Sequence, residues 1–131
     1  MTEETALLAA NAAYYEAFSA RDIESMAALW APDGVSCIHP GWPPLIGRLA
    51  VLSSYGDIFR NPRQEAIQRR NETVLLERGE GRVFCIESVG GAALVATNWF
   101  RRTEEGWLLV HHQASPLAVV APEPRSKGTM H

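Results

Sequence analysis

The stretch Ala92–Pro116, AALVATNWFRRTEEGWLLVHHQASP, holds two runs of alternating β-prone residues joined by Glu104-Glu105-Gly106, and its reading decides the fold. Ala92 to Arg102 and Trp107 to Ser115 read as the strands of one hairpin. A three-residue loop with Gly106 in the left-handed position closes Thr103 against Trp107, because glycine tolerates positive φ there. Asn98 then faces His112, Phe100 faces Val110, Ala96 faces Ala114 and Arg102 faces Leu108. That face is apolar with two polar groups near its middle, the composition of a pocket wall. The other face pairs Trp99 with His111, Thr97 with Gln113 and Val95 with Ser115, and reads as a dimer interface. A two-residue turn would slip the pairing by one residue and bring His111 inward in place of His112.

Working backwards, Gly90-Gly91 reads as the preceding turn, pairing Val89 with Ala92, Glu87 with Leu94 and Cys85 with Ala96. Arg82 to Ser88 and Ala66 to Glu77 complete an antiparallel meander. Before it the period is helical. Thr2 caps a helix running to about Ala20, with Leu8, Ala12, Tyr15 and Phe18 in register and Leu7, Asn11 and Tyr14 beside them. Asp22 caps a short helix on which Ile23, Met26, Ala27 and Trp30 share a face, stopped by Pro32-Asp33-Gly34. Val35 to His39 reads as a short strand, Pro40-Gly41-Trp42-Pro43-Pro44 as a stiff apolar loop. A third helix after Gly47 carries Leu52, Tyr55 and Phe59 and ends at Asn61-Pro62. Helices first and strands last give an α+β fold, three N-terminal helices packed on a curved antiparallel sheet.

The 131 residues suffice for one domain, 47% hydrophobic and 21% charged, with a net charge of −3. The spans expected are a domain over 1–116 and a mobile C-terminal tail over 117–131. An acidic chain offers no electrostatic reason to seek nucleic acid or an anionic membrane. No apolar stretch is long enough for a membrane span, and Met1-Thr2-Glu3-Glu4 lacks the basic start of a signal peptide. A cytoplasmic protein is expected, with Cys37 and Cys85 as buried reduced thiols. No nucleotide-binding, hydrolase or zincin motif is present, so no cofactor is expected. Eleven arginines stand against one lysine. Arg60, Arg63, Arg69 and Arg70 could serve anion recognition, but dispersed arginines on an acidic chain read better as a solvated face.

Several strings resemble the nuclear transport factor 2-like superfamily, in particular its SnoaL-like domains and calcium/calmodulin kinase association domains. These are Ala20-Arg21-Asp22-Ile23-Glu24-Ser25, Leu29-Trp30-Ala31-Pro32-Asp33, WFRR at Trp99–Arg102 and WLLVHHQAS at Trp107–Ser115. The resemblance covers the chain to about Pro116. It implies a cone-shaped α+β fold whose sheet wraps a cavity and whose outer face forms a homodimer. Ketosteroid isomerases share this fold. Their oxyanion-stabilising tyrosine falls on Tyr14, their aspartate base falls near His39, and their second oxyanion donor, an aspartic acid, falls on Asn98. Two of those three positions differ, so steroid isomerisation is not implied. The arginines with which kinase association domains bind small carboxylates fall on positions including Asn98 and Ala114, which are not basic.

Four residues are the candidate catalytic set. His39 is the expected general base, since imidazole titrates near neutrality, with a hydrogen-bonded structural histidine as the plainer alternative. Tyr14, Asn98 and His112 are expected as donors to a ligand carbonyl, against a satisfied buried cluster as the alternative. Trp30, Trp42, Glu87, Phe100 and Val110 are expected to line the pocket. His111 and His112 point to opposite faces, so one metal ion cannot take both, and no metal is expected. The expected function is a small homodimeric protein binding a small apolar carbonyl-type ligand, possible as an isomerase, dehydratase or cyclase using acid–base chemistry. The alternative is a non-catalytic ligand-binding or protein-interaction module.

Overall fold

The computed structural model describes residues 2–118; Met1 and residues 119–131 fall outside the description. The chain runs α1 (Glu3–Ala20), α2 (Ile23–Leu29), β1 (Ser36–Ile38), β2 (Leu45–Ile46), α3 (Arg48–Arg60), β3 (Gln68–Glu77), β4 (Glu80–Val89), β5 (Ala92–Thr103) and β6 (Gly106–Pro116). Six strands form one curved, open sheet in the order β2-β1-β6-β5-β4-β3, against which the helices pack. This is the α+β layout that the residue pattern gives, in the cone form that the resemblance implies. The expected tail lies outside the described residues from 119 onward; Leu117 still donates its amide to the Ala93 carbonyl at 3.0 Å.

The helices start where side-chain caps are available. Thr2 accepts the Thr5 amide at 3.0 Å, with Glu3 and Glu4 placed favourably in the first turn. Asp22 accepts the Ser25 amide at 3.1 Å. Arg21 ends α1 in the left-handed conformation at φ 56°, an unusual place for a residue with a long side chain. That conformation lets its guanidinium reach the far end of α3, where it donates to the Phe59, Asn61 and Gln64 carbonyls. Arg48 does the same for α2, donating to the Ala27, Trp30 and Ala31 carbonyls. These two arginines satisfy helix-end carbonyls that would otherwise lack partners. The solvated set behaves differently: Arg60 pairs with Asp57, Arg69 with Glu72, and Arg70 donates to Ser88.

The sheet departs from expectation in three respects. It is mixed, because β1 joins β6 in parallel, Cys37 beside His112. A parallel pair is joined across a long intervening chain and leaves no local turn signature. The two-residue strand β2, directly after the Pro-rich loop, pairs with β1 and was not expected. Third, the last hairpin closes with a two-residue turn, Thr103 against Gly106 and Phe100 against Leu109. A β-bulge then leaves Val110 as an extra residue and restores the expected pairing of Trp99 with His111 and Asn98 with His112. Phe100 and Arg102 therefore do not face Val110 and Leu108. The Gly90-Gly91 hairpin pairs as read, Glu87 with Leu94 and Cys85 with Ala96.

Helix faces are rotated slightly from the sequence reading. Ile23 is 38% exposed, and Val51 with Ser54, rather than Leu52, enters the core beside Tyr55 and Phe59. Ile23 and Leu52 border a shallow surface groove with Leu49. No helix among the described residues is long and apolar enough to cross a membrane.

Candidate functional site

Three polar side chains enter the core from α1 because Asn11, Tyr14, Tyr15 and Phe18 sit at i, i+3, i+4 and i+7 on one stripe. All four are buried. The stripe lies against the concave face of β4 to β6, where Cys85, Glu87, Asn98 and His112 point inward. Between that face, α1, α3 and the Pro40–Trp42 loop lies a cavity of about 430 Å³. Tyr14, His39, Trp42, Glu87 and His112 line it, with Phe18, Ile58, Ile67 and Leu94 as its apolar wall and Asn61 and Gln64 among its polar lining residues.

His39, Tyr14 and His112 therefore meet at one space. The His39 and His112 ring centroids are 6.4 Å apart, and Tyr14 stacks beside His112 at 4.9 Å. Trp42, 42% exposed, leans edge-on against His39 at 4.9 Å, held by the turn in which its amide donates to the His39 carbonyl. Asn98 stands one layer behind the cavity wall, fully buried, and bonds His112 Nδ1 through Oδ1 at 2.5 Å. Its Nδ2 donates to Asn11 Oδ1 at 2.8 Å and to the Tyr15 hydroxyl at 3.0 Å. Tyr15 in turn donates to Glu87 Oε2 at 2.7 Å. Trp30 and Phe100 are core residues away from this space, Trp30 packing on Tyr55 at 5.9 Å. Val110, displaced by the bulge, lies in an outer groove beside Trp99 and Arg101. Those three do not line the cavity.

Burial sets the protonation states. Loss of water pushes His39 down to about 4 and His112 down to about 3, so both rings are neutral at physiological pH. Burial also raises Glu87 above the ordinary carboxylate range, opposed by the Tyr15 hydrogen bond. The Tyr14 and Tyr55 hydroxyls sit 2.7 Å apart, and burial holds both well above the ordinary phenol value. Cys37, beside Tyr55 at 3.7 Å, is pushed up to about 12 by burial and stays a thiol. Among the described residues no three His, Cys, Asp or Glu side chains are grouped to hold a metal ion.

Tyr55, Ser54, Asn11 and Tyr15 are the site residues that sequence reading assigned to packing or left aside. Ser54 accepts from His39 Nε2 at 2.8 Å while donating to the Val51 carbonyl at 2.6 Å. The signal was present for α1, where one buried stripe carries an Asn and two Tyr. For α3 no spacing distinguishes a hydroxyl that bonds from one that merely packs.

Residues 7–119 match the family of SnoaL-like domains. A solved candidate dehydratase of the NTF2-like family from Streptomyces avermitilis is 35% identical, covering 90% of this chain and 100% of that one with a TM-score of 0.80. A candidate calcium/calmodulin-dependent protein kinase type II association domain from Thiobacillus denitrificans is 36% identical over 84% of this chain and 94% of that one, with a TM-score of 0.73. An NTF2-like protein of unknown function from Pseudomonas putida shares the fold at 16% identity, covering 92% and 96% of the two chains with a TM-score of 0.78. No curated protein matches the chain.

Proposed function

The chain belongs to the SnoaL-like domain family of the nuclear transport factor 2-like superfamily, and from that premise we propose that its cavity binds a small carbonyl compound and moves protons on it without a cofactor. The convergence of Tyr14, His39 and His112 on one cavity carries this reading. His39 is the base. Its Nε2 hydrogen is committed to Ser54, which leaves Nδ1 to take a proton from the carbon beside the carbonyl. Tyr14 is the donor to the carbonyl oxygen, and Tyr55 can donate to Tyr14 as it does so. Asn98 acts as a positioning residue for His112, its own amide hydrogens being engaged by Asn11 and Tyr15.

Dehydration of a β-hydroxy carbonyl fits best. The base takes the α-hydrogen, its bonding pair becomes the new C=C bond, and the β-hydroxyl leaves as water after protonation. Glu87, whose carboxyl holds its proton more firmly than usual, is the acid for that departure. The similar Streptomyces avermitilis protein, a candidate dehydratase, supports this direction. Two free buried thiols suit a reducing compartment, the cytoplasm.

The test is incorporation of solvent deuterium beside the carbonyl of cyclic hydroxy ketones, followed by NMR. His39→Ala and Tyr14→Phe should each slow exchange by about 10²-fold or more. Undiminished exchange in His39→Ala would remove the base from the scheme.

A second reading is a ligand-binding or association module. It draws on the outer sheet face, where Val95 is 39% exposed near Trp99, and on the likeness to an association domain. Homodimerisation through that face is compatible with both readings.

A further inference from the structure

The hydrogen bonds behind the cavity wall have a fixed direction. Asn11 Nδ2 donates to Glu72 Oε2 at 3.4 Å, so Asn11 turns Oδ1 toward the Nδ2 of Asn98. The Tyr15 hydroxyl gives its hydrogen to Glu87 and accepts from the same Nδ2, in the same sense. Asn98 must therefore present Oδ1 to His112, and only a hydrogen on His112 Nδ1 completes that contact. The opposite wall follows the same logic. Ser54 spends its hydrogen on Val51, so it accepts from His39 and the hydrogen of that ring lies on Nε2. Each histidine is thus tied to protein through its N–H, and the other nitrogens, His112 Nε2 and His39 Nδ1, are both acceptors; at His39 the Cys37 sulfur, a weak partner, lies 3.8 Å from Nδ1 and 3.6 Å from Nε2.

The cavity has the complementary composition. Glu87 contributes a carboxyl, and among the described residues no lysine or arginine lines the space. An anionic ligand would find no cation among them and would face two lone pairs. We propose that the ligand is an uncharged ring compound with two hydroxyl groups, one donating to His39 Nδ1 and the other to His112 Nε2. The flat walls formed by Tyr14 and Trp42 supply the apolar contact for its ring. This deepens the reading of the cavity as the ligand site and rests on it. At the two histidines the ligand supplies the hydrogens, whereas Tyr14, backed by Tyr55, keeps a hydrogen to give.

Calorimetric titration of the full chain at neutral pH with resorcinol, 1,3-dimethoxybenzene, benzoate and benzylamine tests it, alongside ¹⁵N NMR of the histidine rings. Resorcinol should bind about tenfold or more tighter than 1,3-dimethoxybenzene, which has the shape without the hydrogens, with benzoate weakest. The ¹⁵N spectrum should show His112 Nε2 and His39 Nδ1 unprotonated and both shifting when resorcinol is added. Equal binding of the dimethoxy compound, a preference for benzoate or benzylamine, or a hydrogen on His112 Nε2 would each overturn the proposal. The wild-type chain suffices, so no variant needs to fold. Resorcinol binding as expected without deuterium exchange would end the catalytic reading and leave this one standing; exchange with indifferent binding would do the opposite.

Discussion

His112 and Asn98 are joined by a bond of 2.5 Å between Nδ1 and Oδ1, at the end of a chain that begins with the exposed Glu72 on β3 and passes through the buried Asn11 on α1. The contact links the concave wall of β5 and β6 to α1. It also decides which nitrogen of His112 is available to a ligand.

Replacing Asn98 by leucine should therefore cost more than its volume suggests. Asn11 and His112 lose a buried partner each, and groups left in that condition cost about 1–3 kcal/mol apiece. Urea unfolding of Asn98→Leu should show a loss of about 2–4 kcal/mol. A loss within about 0.5 kcal/mol, the range of ordinary surface changes, would mean that the network contributes no net stability.

Acid should weaken the fold well above the pH at which its histidines titrate. The folded rings hold off protonation down to about 4 for His39 and about 3 for His112, whereas an unfolded histidine titrates near about 6.5. Below pH 6.5 the unfolded chain binds more protons, so stability is fully present above that value and is lost as pH falls toward 4. Between pH 7 and pH 5 each ring accounts for about 2 kcal/mol. Glu87 works against this slope, because its raised affinity keeps its proton in the folded chain over a range where the unfolded chain has released it. Denaturation curves of the wild type and Glu87→Gln should accordingly show the steeper acid loss in the variant. Stability that stayed flat from pH 7 to pH 5 in both would contradict the buried neutral state of the rings.

The outer face makes its own prediction. Val95 stands 39% exposed on the outer face between Ile86 and Ser115 of the neighbouring strands, while Trp99 is covered by the Arg82 guanidinium at 4.0 Å from its ring and donates to Glu80 at 2.9 Å. Light scattering at micromolar concentration should report a dimer for the wild type. Val95→Glu should give a folded monomer, because a charge there would be buried at the interface without a partner. A wild-type monomer would reassign that face to solvent.

Gly81 allows Leu7 to lie on the sheet. A Cβ at that position would sit 2.6 Å from one Leu7 methyl carbon and 3.2 Å from the other, with Trp107 at 3.4 Å. Gly81→Ala should destabilise the chain by about 1–3 kcal/mol through overpacking. Combined with Leu7→Ala, the loss should be less than the sum of the two. Strict additivity would show that the methyl is accommodated elsewhere.

Most of the architecture was legible because it is local. The Gly90-Gly91 hairpin, the caps at Thr2 and Asp22, and the inward stripe of α1 each follow from a few neighbouring residues. The parallel pairing of β1 with β6 was not, since no short segment records it. The inward placement of His112 follows from the sequence for a mistaken reason. A three-residue loop was expected, whereas the chain uses a two-residue turn and then adds Val110 as the extra residue. Nothing in Leu108-Leu109-Val110 marks a bulge, as three apolar residues suit either register. Val110 was misplaced with it, whereas Phe100 keeps the inward face and lies in the core outside the cavity. At the site, Tyr14, His39, Trp42 and Glu87 do border the cavity. Trp30 does not, because a buried aromatic near a pocket and one lining it have the same sequence signature. The role of Ser54 depends on a hydroxyl whose orientation is set by Val51 and His39 together, and only the folded backbone brings those two to it.

The extra residue at Val110 divides β6 into two segments with independent phase. From Gly106 to Leu109 the strand is indexed by the turn, and from His111 onward by the bulge. A deletion of Val110 would therefore remove the bulge while leaving both the hairpin tip and the inward His112 in place, and a one-residue deletion at Glu104-Glu105 could be absorbed by losing the bulge with the histidines unmoved. Length changes at the tip and identity of the inward histidine can thus drift separately among sequences of this fold, so aligning such chains by the turn alone would pair the wrong histidines.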